Sequence, residues 1–332
     1  MHYDAILIVT FGGPDKMEDV VPFLENVLRG KNVPRERMLE VAHHYELFNG
    51  KSPLNEQNNE LKQLLEHRML SHEPRLPVYI GNRNWYPFLA DTLREMKEAG
   101  VRRVLALVVS GYSCYSGCRQ YREDIQRARE EIGEGAPDVD KIRVFYNHPL
   151  FIQANADHVR DALAKIPEAD RADATLLFTA HSIPSAMAAK CRYEEQLQEA
   201  SRLVAEAVGH AHWRLVYQSR SGPPHQPWLE PDVCDVIREL AKQDSKHLVI
   251  SPIGFTSDHM EVLFDLDTEA KELCEELGVH MVRAPAAGHH PLFVEMVHDL
   301  IAERIEERRA RPALGAHGPS HDVCPEQCCM PG

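Results

Sequence analysis

Eight short runs of apolar and β-branched residues punctuate the chain: YDAILIVTF (3–11), LPVYIGN (76–82), RRVLALVV (102–109), IRVFYNH (142–148), ATLLFTAH (174–181), WRLVYQS (213–219), HLVISPIGF (247–255) and VHMVRAPA (279–286). They read as strands buried in a parallel sheet, because such strands are covered on both faces. The segments between them carry helical period. In LFVEMVHDLIAERIEERRA, Phe293, Met296, Val297, Leu300, Ile301 and Ile305 form one apolar stripe. Strands alternating with helices predict βαβ units, and the runs divide four and four around residue 149. The expected fold class is α/β, with two Rossmann-like, doubly wound domains, each built on a four-stranded parallel sheet. The first spans 1–148 and takes back a C-terminal helix from 288–311; the second spans 149–287. After residue 311 the periodicity stops, and the Gly/Pro-rich, Cys-containing stretch 312–332 reads as a flexible tail.

Length and charge narrow the partners. The 332 residues, 43% hydrophobic, suffice for two cores. A net charge of −14 argues against nucleic acid or an anionic membrane surface as the main partner. The chain shows neither a basic, apolar leader nor a run of about 18 apolar residues, so no integral membrane segment and a cytoplasmic location are expected. Cys114, Cys118, Cys191, Cys234 and Cys274 are scattered and read as reduced thiols.

In open α/β sheets, ligands sit beyond the C-terminal ends of the strands. The first run ends in TFGGP, which is not a dinucleotide fingerprint. The fifth ends in FTAHSIP and delivers His181 to the rim, and the seventh leads into PIGFTSDHMEV, which brings His259 and Glu261. The stretch that follows, DHMEVLFDLDTE, holds five acids in twelve residues. Glu261, Asp265 and Glu269 are four apart, so on an α-helix they share one face, drifting about 40° per step. Like charges at this spacing repel. The usual reading of such a stripe is a solvated helix face; the other is a row of oxygen ligands for a hard cation. In this acidic chain LRGKNVPRER stands out, with Arg29, Lys31, Arg35 and Arg37 in ten residues.

FTAHSIP and PIGFTSDHMEVLFDLDTE, with TFGGP, NGKSPLN, GNRNWYPF, GYSCYSGCRQYREDI and YQSRSGPPHQPWLEPD in order, resemble the ferrochelatase family from Tyr3 to about Arg309. The resemblance is strongest to its actinobacterial, coproporphyrin-using branch. It implies a tetrapyrrole held in a cleft between two Rossmann-like domains, and a lyase of haem biosynthesis that inserts ferrous iron into coproporphyrin III to give coproheme. Iron is then substrate, and no cofactor is required. His181 and Glu261 match the family's catalytic and iron-site pair, with Asp265 and Glu269 as outer metal ligands. Phe11, Arg29, His44, Tyr45, Ser52 and Tyr121 match porphyrin-contacting positions, with Lys31, Arg35 and Arg37 as basic neighbours of Arg29. Partners implied are the porphyrin, ferrous iron and, transiently, other haem-pathway enzymes.

Two departures stand against the family pattern. Phe11 occupies a position where some relatives carry a metal-reaching tyrosine, so it cannot ligate and is expected on the ring face. Asn84 stands where some have a further histidine. Cys324, Cys328 and Cys329, near His317 and His321, resemble the cysteines that hold a 2Fe–2S cluster in some relatives. The spacing differs, and the fourth ligand's position holds Ala154. Cys191 or Cys234, or a second chain, are the substitutes; a loose metal-scavenging or idle tail is the other reading. The rival functions are protoporphyrin IX ferrochelatase, a cobalt or nickel chelatase, and a non-enzymatic tetrapyrrole or iron carrier.

Overall fold

The computed structural model describes every residue except Met1, Asn32, 72–74 and Pro224. β1 (Ala5–Thr10) is buried along its whole length and is the spine of the first sheet. β2 (Val78–Asn82) and β3 (Arg103–Val108) pair with it in parallel, placing Ile8 opposite Ile80 on one side and Leu107 on the other. β4 (Asp138–Lys141) closes the order β2-β1-β3-β4. Ala5, Leu7 and Val9 pack against Leu93 and Met96 of helix Leu89–Glu98 and Ile125 of helix Gln120–Ile132.

The second sheet repeats this topology. β5 (Thr175–His181), β6 (Trp213–Gln218), β7 (His247–Ser251) and β8 (His280–Arg283) run parallel in the order β6-β5-β7-β8. Phe178 lies opposite Leu215 and Ser251. Leu177, Leu248 and Ile250 share a core with Val236 and Ile237 of helix Val233–Lys242 and with Val262 and Leu266. The α/β class and the two four-stranded parallel sheets are those the sequence predicts. In both sheets the order reverses beside the first strand in sequence, β1 or β5, which makes their C-terminal ends the places for ligand chemistry.

One predicted strand is displaced. The run 142–148 is not a strand; β4 precedes it and is the polar DVDK. An edge strand needs little burial, whereas Phe145 and Tyr146 are buried coil whose amides donate to the Gly111 carbonyl. A short apolar run does not by itself distinguish these cases. The chain forms two compact units: Met1–Val109 with Tyr121–Ile142 and Leu300–Glu307, and Ser110–Gln120 with Arg143–Asp299 and Arg308–Gly332. Residues 110–120 thus group with the second unit: the Tyr112 hydroxyl donates to the Ile253 carbonyl (2.9 Å), and the Ser113 amide donates to Gln196 Oε1 (2.7 Å). Helix Pro291–Ile305 carries the expected stripe, with Phe293, Met296, Val297, Leu300 and Ile301 buried. Among the described residues no helix is long and apolar enough to cross a membrane.

After β7 the chain turns through Pro252–Phe255 and comes back against β5, where the Gly254 amide donates to the Thr179 carbonyl (3.0 Å). A Cβ at Gly254 would lie 2.5 Å from Ala180 Cβ and 2.6 Å from its Cα. Ala180 is a strand residue next to His181 and cannot swing aside. Gly254→Ala is therefore expected to destabilise the protein by about 1–3 kcal/mol, read as a lower midpoint in urea unfolding. An unchanged midpoint would show that this approach is looser than it looks.

Candidate active site

His181 closes β5, and its backbone carbonyl accepts the hydroxyl of buried Tyr193 (3.1 Å). Its Nδ1 lies 2.5 Å from the Ser182 carbonyl, which only accepts, so Nδ1 carries the proton. The lone pair is left on Nε2, and Glu261 Oε2 stands 3.7 Å from it. That gap is too long for a direct hydrogen bond. The imidazole is half-buried and the carboxylate exposed.

The acidic segment is not one α-helix. A short α-turn, Met260–Val262, passes into a π-helix over Leu263–Ala270 and then into the α-helix Lys271–Glu276. The stripe expected from α-helical spacing therefore sits on a wider winding, with i→i+5 hydrogen bonds of a kind found often at functional sites. His259 caps the start, its Nδ1 accepting the Glu261 amide (3.2 Å). Burial lowers its pKa and keeps it neutral, as an acceptor must be. His259 is thus a structural cap.

The five acids sort into two kinds. Arg283, at the end of β8, bridges Asp258 (2.8 Å) and Asp267 (2.6 Å) and so pins the segment at two points. Among the described residues, Glu261, Asp265 and Glu269 have no lysine or arginine partner. Asp265 Oδ2 accepts from Gln218 Nε2 (3.1 Å) and Ser219 Oγ at the end of β6. Burial pushes the Asp265 carboxyl up to about 7, Glu261 and Glu269 add to this, and the two hydrogen bonds oppose it. Burial also raises Glu269, helped by Asp232 and Glu272. Ser219 was not legible as a site residue; it is held at φ 60°, a left-handed conformation rare outside glycine. Cys234 lies among Asp232, Glu269 and Asp265, and burial drives its thiol up to about 12, so it stays protonated.

The first unit assembles most of the other candidates. Phe11, just after β1, packs edge-on against Phe23 (6.1 Å), which also meets Tyr45 (6.3 Å) and Trp85 (6.3 Å). The Arg83 guanidinium stands 6.0 Å from the Phe11 ring centre and 5.2 Å from that of buried Tyr121. Its Nε pairs with buried Asp124 (2.7 Å). Arg83 thus joins the two rings; the sequence marked the motif GNRNWYPF around it but not this residue. Asn84 is buried, and its amide nitrogen donates to the Phe11 carbonyl (3.2 Å). Ser52 is buried too: its Oγ accepts the Leu54 amide (3.4 Å), and a Cβ at Gly13 would fall 2.7 Å from its Cβ. Asn55 bonds both backbone groups of Gly13, so TFGGP and NGKSPLN form one clamp. His44 and Tyr45 lie on helix Arg35–Glu46, where burial lowers the His44 pKa. At the start of this helix Arg35 pairs with Glu25 (3.7 Å) and Arg37 with Glu40 (2.6 Å), whereas exposed Arg29, ahead of it, bonds the Asn26 side-chain oxygen.

The stretch after Arg311 has no helix or strand, but it is tied to the second unit. Asn147 Nδ2 donates to the carbonyls of Leu314 (3.1 Å) and Gly318 (2.9 Å), and the Ala316 amide donates to Glu199 (3.0 Å). Of the candidate cluster ligands, Cys324 and Cys328 converge with His321, while Cys329 is buried and its thiol hydrogen-bonds that of Cys118.

The Asp265 shift has a stability consequence. Its folded pKa lies above the ordinary 3.8, so the unfolded chain gives up the proton first. Stability therefore falls as pH rises from about 4 to 7, and the full penalty persists above that. Without metal or porphyrin, Asp265→Asn should be more stable than wild type at pH 8 by on the order of 2 kcal/mol. The difference should vanish by pH 4. Thermal unfolding across this range reads the trend, and a variant less stable at pH 8 would contradict it.

Comparison with known proteins identifies the family. The ferrochelatase family model matches residues 3–305. A ferrochelatase of Rhodopirellula baltica is 60% identical over 331 residues, covering 99% of this chain and 93% of that protein. A coproporphyrin III ferrochelatase of Streptomyces griseus is 48% identical over 349 residues, covering 98% and 93%. Among solved structures, SirB from Bacillus subtilis with Fe3+ superposes with a TM-score of 0.56 at 14% identity, covering 92% of this chain and 98% of that one, a likeness of fold. The chain belongs to the ferrochelatase family.

Proposed function

We propose that this protein inserts ferrous iron into coproporphyrin III, with His181 and Glu261 as the catalytic pair. As a family member it is a metal chelatase, a lyase acting on porphyrin and iron. The reaction strips the ion of water, seats it among four nitrogens and releases two pyrrole protons. The observation that carries the assignment is the His181 Nε2 lone pair facing Glu261 at 3.7 Å, beside two further carboxylates without a cation. Oxygen ligands suit a hard, hydrated ion, and an imidazole nitrogen suits iron as it sheds water. Glu269 and Asp265 take the ion in; Glu261 and His181 Nε2 pass it on and are the bases for the departing protons. Ser219 and Gln218 hold Asp265 in place.

In the first unit, Phe11 and Tyr121 contact the ring, with Arg83 between them as a support. Arg29, His44 and Tyr45 serve the propionates. Ser52, buried against Gly13, acts by shaping the loop. The coproporphyrin preference rests on the segment LRGKNVPRER, which is cationic and lacks an apolar run that would enter lipid. It also draws on the relatives named coproporphyrin III ferrochelatases, of 44–48% identity. Coproporphyrin III carries four carboxylates and protoporphyrin IX two, so cations in this segment favour the former. Arg35 and Arg37 already have carboxylate partners, so Arg29 is the main contributor.

His181→Ala and Glu261→Gln should each lower the anaerobic rate of iron insertion more than tenfold, a barrier rise above about 1.4 kcal/mol, with the fold intact. Either variant retaining more than a tenth of the wild-type rate would refute its role. Asp265→Ala and Glu269→Ala should instead raise the KM for ferrous iron more than they lower kcat.

For the substrate, kcat/KM should be higher for coproporphyrin III than for protoporphyrin IX at low salt. The margin should be graded, because exposed ion pairs are worth ~0.2–1 kcal/mol each, and should shrink as salt rises. Arg29→Ala should narrow it. Equal or better use of protoporphyrin IX in detergent-free buffer would overturn the preference.

A further inference from the structure

His321, Cys324 and Cys328 place one donor atom each within 4.8 Å of one another, away from the acidic stripe in sequence and in chemistry. Cys328 Sγ and His321 Nε2 are 3.9 Å apart. A tetrahedral zinc ion, with Zn–S bonds of about 2.3 Å and Zn–N bonds of about 2.0 Å, holds its donors roughly 3.5–3.8 Å apart. The three atoms are therefore within about 1 Å of closing on one such ion. The sequence HDVCPEQC spaces them as H-x2-C-x3-C, so all three come from one short loop.

That loop is held from several sides. The Cys328 amide donates to the Pro325 carbonyl (3.1 Å), closing the turn between the two cysteines. Arg119 Nη1 donates to the carbonyls of Glu326 (2.7 Å) and Cys328 (3.1 Å). Arg311 Nη1 bonds the Ser320 carbonyl and Asp322 Oδ2, both at 3.1 Å, and fixes the approach to His321.

The donor set does not fit a 2Fe–2S cluster. Such a cluster takes four protein ligands, two on each iron, so its ligands stand in pairs at opposite ends. Here three donors converge on one point. Cys329 sits at φ 53° and is buried, its thiol hydrogen-bonded to that of Cys118. Its sulfur is 3.5 Å from Cys328 Sγ but stands outside the converging trio. Residue 154 is alanine and offers no ligand.

We propose that His321, Cys324 and Cys328 form a mononuclear site for a zinc-class divalent ion, with water in the fourth position. Binding takes the Nε2 lone pair of neutral His321 and releases one proton from each of the two thiols. The ion ties the loop into a closed knuckle and has no part in iron insertion.

The full-length chain bearing His181→Ala and Glu261→Gln, purified under reducing conditions and stripped with chelator, lacks the proposed catalytic pair, and the thiol-bound ion is read as the part of the signal that depends on Cys324 and Cys328. Zinc chloride titrated against a chromophoric chelator should bind at one ion per chain, and cobalt(II) chloride should give the intense visible bands of tetrahedral thiolate coordination. Cys324→Ser with Cys328→Ser should abolish both signals. His321→Gln, at an exposed position where misfolding is not a concern, should weaken zinc by roughly tenfold or more. Cys329→Ser should leave the site intact. Two irons and two sulfides per chain in the protein as purified would overturn the proposal. So would one zinc per chain that survives loss of Cys324 and Cys328.

Discussion

The second unit is organised around carboxylates that have been denied cations. Arg283 takes Asp258 and Asp267, leaving Glu261 and Glu269 to act on Asp265, with Glu261 also facing the His181 ring. Like charges brought out of water raise the free energy of the folded state, and the push of Asp265 to about 7 records that cost. A segment in this condition is stable only because other contacts over-determine it. Here these are the two Arg283 bridges, the His259 cap and the hydrogen bonds from Gln218 and Ser219. A divalent ion relieves the same repulsion, so binding chemistry and folded-state strain have one origin.

The sheet supplies the rigidity this requires. β5, β6, β7 and β8 are parallel and deliver their C-terminal ends to one side. His181, Gln218 and Arg283 are terminal residues of three of those strands. The π-helix follows the fourth, and Gly254 lets the connecting turn lie against β5. Each of these candidate side chains thus leaves a backbone already fixed by the hydrogen-bond ladder. The first unit applies the same topology to a different end: β1 leads to Phe11, and the clamp between Gly13 and Asn55 sets the loop that follows.

Much of this was legible before the structure, because parallel strands are apolar on both faces and their ends punctuate the chain. His181 and Glu261 stood out at strand ends, and the four-residue spacing of the acids marked the helix face. The π-helix was hidden, since its residues satisfy α-helical spacing equally well. β4 was missed because an edge strand as polar as DVDK carries no hydrophobic signal. The pairing of Asp258 and Asp267 with Arg283 depends on a residue at the end of a different strand. Arg83 depends in the same way on Asp124 and Tyr121, some forty positions away. Composition pointed to an unstructured tail, but turn-rich sequence says little about whether backbone groups find partners.

The central claim is that the uncompensated carboxylates exist to take up a divalent ion. It is tested most directly by the thermal shift that ferrous iron produces anaerobically in porphyrin-free protein, with Cys324→Ser and Cys328→Ser removing the tail thiols. A ligand that binds only the folded state raises its stability by about 2.7 kcal/mol at a hundredfold excess over Kd. A clear rise in Tm is expected at pH 8, a much smaller one at pH 5 where Asp265 is protonated, and none when Glu261→Gln and Asp265→Asn are added. An equal rise in that last variant would contradict the claim.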